Sequence, residues 1–82
     1  MTTPDIQARV AIFKVHLEKI VLDLEVRSFE DYAKRLASLT PGFTGADIAN
    51  LCNEAAIHAA RNGKSSVGPK DFEISVERVM AG

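Results

Sequence analysis

A single cysteine, Cys52, is present among 82 residues, which excludes an internal disulfide and any all-cysteine metal site. No apolar run approaches the roughly 20 residues of a membrane span. Neither sign of charge prevails: 10 Lys and Arg stand against 11 Asp and Glu, a net charge of -1. The chain therefore lacks an electrostatic footprint for nucleic acid or for an anionic membrane surface. Internal repeats and low-complexity tracts are missing, and so is any strand pattern beyond the few residues around Ser66 and Val67. What is there is 46% hydrophobic and 26% charged residues, enough apolar material for one small domain near the lower size limit of independent folding.

Helical periodicity fills most of the length, and an all-α four-helix bundle is the expected fold, with helices over about 6–20, 29–39, 45–62 and 69–80. Asp5 can cap the first, where Ile6, Val10, Phe13, Leu17 and Ile20 recur at helical spacing. Ser28 caps the second, with Phe29, Tyr32, Ala33 and Leu36 on one face and Asp31 at the capping-box position. Pro41-Gly42 breaks the chain, and Thr44 with Asp47 repeats the capping signal for the third and longest helix. The stripe of that helix is small: Ile48, Leu51, Cys52, Ala55, Ala56 and Ala59 predict close helix packing, and Asn62-Gly63 ends it. Pro69 suits the first position of a fourth helix whose Phe72, Val76, Val79 and Met80 face inward.

Several chemistries are tempting and weak. Gly63-Lys64-Ser65 matches the end of a phosphate-binding loop, but His58 stands where the motif needs its first glycine and a helix precedes it rather than a strand. It reads as a helix-ending loop. Glu54 and His58, four apart, could share a metal, yet no third ligand is evident and a surface pair is the plainer reading. Cys52 among alanines reads as a buried, inert thiol, and no group orients it towards a histidine. His16 shares a helix face with Ile12, offset from the core line. Two readings of that pair stand: a boundary histidine covering a hydrophobic edge, or a shallow platform for a flat ring, closed from the other side by the Gly45-Ala46 helix start.

The stretch from Pro4-Asp5 through Arg9 and Ile12-Phe13-Lys14-Val15-His16-Leu17 resembles the first lid helix of AAA ATPases. Leu39-Thr40-Pro41-Gly42-Phe43-Thr44-Gly45-Ala46-Asp47-Ile48-Ala49-Asn50-Leu51-Cys52-Asn53-Glu54-Ala55-Ala56 looks like the second half of that lid. It is most similar to the FtsH family and, within it, to the mitochondrial m-AAA (paraplegin-like) zinc metalloproteases. Asp71-Phe72-Glu73 and Val76-Glu77-Arg78-Val79-Met80-Ala81-Gly82 are similar to the last lid helix. The match spans residues 4–82, with Met1-Thr2-Thr3 read as an initiator and short leader. Ala8-Arg9 stands in place of the family's usual Gly-Arg, and Ala46 lies where many AAA+ lids, though not the FtsH-like group, place a phosphate-reaching arginine.

The resemblance implies a non-catalytic lid that follows a larger nucleotide-binding domain and covers the adenine side of ATP or ADP. Ile12 would line the adenine pocket, His16 would meet the ribose or base, and Gly45 and Ala46 would approach the nucleotide from the third helix. Zinc and magnesium would belong to other domains of the parent, and no catalytic or metal-binding residue is assigned here. The implied partners are the large ATPase domain, neighbouring subunits of a hexameric ring and protein substrates of the parent. Contact with nucleic acid or membrane is not expected of this segment. The implied location is the matrix side of the mitochondrial inner membrane, with bacterial and plastid membranes as alternatives. Two other readings remain: the lid of a chaperone-type AAA ATPase without a protease, and a free-standing helical interaction module.

Overall fold

A computed structural model describes residues 3–82; the leader reading of Met1 and Thr2 lies outside them. The expected four helices form: α1 (Ile6–Leu17), α2 (Phe29–Leu39), α3 (Gly45–Arg61) and α4 (Pro69–Ala81). Each begins where its capping residue predicts. Asp5 Oδ1 accepts from the Ala8 N–H at 2.8 Å, and Ser28 Oγ accepts from the Asp31 N–H at 3.2 Å. Thr44 and Asp47 form both halves of a capping box, so two otherwise orphaned donors at the α3 start are satisfied. Asp31 forms no return bond to its cap; its carboxylate instead faces Arg27 at 4.0 Å.

α1 ends three residues earlier than its apolar spacing suggests. After Leu17 the backbone tightens, with Lys19 N–H donating to the His16 carbonyl and Ile20 N–H to that of Leu17. These shorter-range bonds close the helix while leaving Ile20 against the core. α3 ends at Arg61, one residue early, through Gly63 at φ +68°. There the Lys64 N–H reaches the Ala59 carbonyl and the Gly63 N–H that of Ala60, the paired bonds of a Schellman end.

The helices form two antiparallel pairs. Arg9 of α1 reaches the Ala37 carbonyl near the end of α2, whereas Lys14 pairs with Glu30 near its start. His58, late in α3, meets Asp71, early in α4. α1 then packs on α3, and α2 meets α4 more sparsely. Phe13, Leu17, Tyr32, Ile48, Leu51 and Phe72 fill the shared core, with the Tyr32 and Phe72 rings 5.7 Å apart and tilted by 53°. Two residues expected inside are not: Ile6 is 49% and Met80 54% exposed. Both lie in terminal turns, where the helix projects past its neighbours.

The inter-helix loops are tied to each other. Val67 N–H donates to the Val21 carbonyl at 2.8 Å and Asp23 N–H to the Val67 carbonyl at 2.9 Å, a one-residue parallel bridge. The Tyr32 hydroxyl donates to the Asp23 carbonyl at 2.7 Å. Asp71, only 1% exposed, secures the other side of this junction. Its carboxylate bonds the His58 ring at 2.7 Å, and it accepts from Lys64 Nζ at 2.7 Å and from the Gly68 N–H at 2.9 Å. Burial opposes ionisation of this carboxyl, but the bonds from Lys64, Gly68 and His58 outweigh it and hold the pKa below the usual value.

Because the folded-state pKa is lowered, this stabilisation is fully present above the unfolded-chain value of about 4 and is lost as pH falls through the folded value. Asp71→Ala is expected to cost about 2–3 kcal/mol in urea unfolding at neutral pH. The variant should also lose stability less steeply than the parent between neutral and strongly acidic pH; parallel pH profiles would show that Asp71 does not carry this term.

Candidate functional site

The start of α3 follows from four residues. Thr40 to Phe43 form a turn closed by the Phe43 N–H on the Thr40 carbonyl at 3.2 Å, and Gly42 at φ +79° takes the position that disfavours any side chain. Thr44 then caps the helix, and Gly45 is its first residue. Gly45 differs in kind from Gly42. Its φ is not positive, whereas a Cβ built on either glycine would meet no atom within 4 Å. Nothing within the fold asks for glycine there. Ala46 beside it is exposed.

On the facing helix, Ile12 and His16 are both half-buried. Ile12 rests on the core from its edge, so the pair sits at the boundary between interior and surface. Of the two histidines, only His58 has its ring hydrogen-bonded among the described residues. The His16 nitrogens are left available. His16 opens into a groove of about 300 Å³ between α1 and α3, walled on the α3 side by Ala49, Asn53 and Ala56 with Cys52 at its base. Lys19 is its one cationic side chain besides the titratable His16, and no carboxylate lines it. The cleft continues between Ile20–Val21 and Ala56–Ala60, so α1 and α3 advance in the same sense. Ile12, one turn before His16, therefore falls level with the α3 start. Of the four site residues expected from sequence, the groove's lining includes His16; Ile12, Gly45 and Ala46 are not among its lining residues.

The weaker candidates resolve differently. His58 pairs with Asp71 rather than with Glu54, because the α3–α4 hairpin brings a buried carboxylate to its ring. Lys64, of the phosphate-loop look-alike, is bound to the same carboxylate. Among the described residues no group of three or more His, Cys, Asp or Glu side chains is placed to hold a metal ion. No helix among them is long and apolar enough to cross a membrane. Cys52 is 3% exposed, and burial pushes its thiol pKa up to about 12.

Residues 30–74 match the family model of the AAA+ lid domain. The chain belongs to that family. The lid is 52% identical over 79 residues to the mitochondrial inner membrane m-AAA protease component AFG3L2 of Mus musculus, covering 96% of this chain and 10% of that protein. It is 53% identical over 79 residues to the mitochondrial ATP-dependent zinc metalloprotease FTSH 3 of Arabidopsis thaliana, with 96% and 9% covered. The ATP-dependent zinc metalloprotease FtsH of Rhodothermus marinus is 51% identical over 83 residues, with 96% and 11% covered. This lid thus spans about a tenth of the length of these relatives. The resemblance to FtsH-type and m-AAA proteases is borne out by these matches.

Two residues that organise the lid carry no motif of their own. Arg9 is buried and donates through Nε and Nη2 to the Ala37 carbonyl, at 3.2 and 3.0 Å, and through Nη1 to that of Pro4 at 3.0 Å. It caps α2 from another helix. Its signal is positional, since Arg9, Phe13 and Leu17 share one buried stripe at four-residue spacing. Asp71 announces itself only as the third residue of a helix begun by Pro69.

Within the folded lid, Cys52 is expected to react with an aromatic disulfide reagent at mildly alkaline pH on the order of 100-fold more slowly than in the urea-unfolded chain. Comparable rates would show that the groove base is open to solvent.

Proposed function

We propose that this lid closes over the base side of ATP held by the large domain of an ATP-dependent, membrane-anchored zinc metalloprotease. The observation that carries this reading is Gly45: a helix-starting glycine with ordinary backbone angles and empty space where a side chain would go. Glycine is a poorer helix former than alanine, and no contact within the lid requires it at Gly45. A ligand approaching the backbone closely would require that space. Ile12 offers an apolar surface suited to a purine face, and the unbonded His16 ring can exchange a hydrogen bond with a ribose hydroxyl or base nitrogen. The exposed Ala46 keeps the entrance free of bulk and contributes no charge to the phosphates.

ATP supplies the phosphoanhydride bond, whose cleavage belongs to the large domain. The lid's own residues orient the base, exclude water from one side and move as a unit with nucleotide state, a hinge transition passed to the neighbouring subunit of a hexamer. In this reading the zinc of the parent is held by another of its domains. The name of the mouse relative assigns that protein to the mitochondrial inner membrane; our reading puts the parent there with this domain on the matrix side, with a bacterial membrane as the alternative.

Gly45→Val separates ligand approach from folding. In the isolated lid its stability should stay within about 1 kcal/mol of the parent, while in the full-length ATPase the KM for ATP should rise about tenfold. An unchanged KM would contradict close approach at Gly45. Phosphate and Mg²⁺ contacts dominate nucleotide affinity in enzymes of this type, so the isolated lid should bind ATP weakly or undetectably in an amide-shift titration. Saturable micromolar binding would contradict the division of labour described here.

A further inference from the structure

The sparse contact between α2 and α4 leaves a cleft of about 440 Å³ that shares no lining residue with the α1–α3 groove. Its apolar lining is the buried Tyr32, Leu36 and Phe72 together with Leu39, 49% exposed at the end of α2. The rim is mainly cationic. Arg27 lies just before the α2 cap and Arg35 late in the same helix, with Glu73 opposite on α4. Arg35 has no carboxylate partner among the described residues, and Arg27 has only the loose 4.0 Å contact with the half-exposed Asp31. Both guanidinium groups can therefore accept a new anionic partner without breaking a strong bond.

We propose that this trench is a docking site for an acidic amphipathic helix of another protein segment. Large apolar side chains at i and i+4 would fill the space over Tyr32, Leu36 and Phe72, while carboxylates about two turns apart would meet Arg27 and Arg35. Charge complementarity selects this occupant. A neutral helix would leave the arginines unpaired at the rim, and a basic one would also place like charge against them. The guanidinium fork suits carboxylates better than a point charge would, because it binds them through two donors at once. The site shares no lining residue with the nucleotide-facing groove, so it stands whether or not the ATP reading holds.

The test is an amide-shift titration of the ¹⁵N-labelled 82-residue chain with synthetic helical peptides of roughly 14 residues. The panel carries Leu or Phe at i and i+4 and two Glu about two turns apart flanking them, with a matched set in which every Glu is Lys. Saturable shifts at Tyr32, Leu36, Leu39 and Phe72 are expected from the Glu peptides only. Arg35→Glu, with an unchanged circular dichroism spectrum, should weaken them about tenfold and improve binding of the Lys set. Arg35→Ala, a milder change, serves the same comparison if the reversal disturbs folding. Equal binding of both sets, shifts confined to the α1–α3 side, no saturation across the panel, or peptide-free self-association through the trench would each overturn the proposal.

Discussion

The distance between α1 and α3 governs the rest of this small bundle. α3 turns Ile48 and Leu51 into the core but presents Ala49, Cys52 and Ala56 towards α1. Small side chains on that line let the helices meet while leaving a groove between them, and half-buried Ile12 and His16 stand at its edge. Larger residues at these places would push the helices apart or fill the groove, since packed interiors accommodate added volume poorly. The close packing that gives 82 residues a core thus also shapes the face on which the functional reading rests.

Buried polar groups then make one body of two hairpins. Arg9 fastens α1 to the end of α2 through the Ala37 carbonyl, and Asp71 fastens the end of α3 to the start of α4. The Val67 bridge joins the loops of the two hairpins. Every buried side-chain nitrogen and oxygen among the described residues has a partner, so the interior carries little incentive to rearrange. Such a domain is suited to moving as one body, as the proposed hinge role would require.

What could be read from sequence follows the reach of each interaction. Asp5, Ser28, Thr44 and Pro69 act on backbone within three residues of themselves, and all four helix starts were legible. The alanine stripe was legible because periodicity is local too. The Arg9–Ala37 and His58–Asp71 contacts join positions that only the assembled hairpins bring together, and His58 was paired with the wrong acid for that reason. Ile6 and Met80 keep helical spacing with the core, but spacing cannot tell where a neighbouring helix stops. Gly42 and Gly45 looked alike in sequence. Backbone angle alone separates the glycine the turn needs from the one it does not, since a Cβ would meet open space at both.

The most direct measurement is the position of the adenine ring in a structure of the full-length parent with a non-hydrolysable ATP analogue bound. The account predicts ring atoms within about 4 Å of Ile12 and of the Gly45–Ala46 backbone, with a His16 nitrogen about 3 Å from a ribose oxygen or base nitrogen. A base that lies against α2 or α4, or that leaves His16 in bulk water, would contradict it.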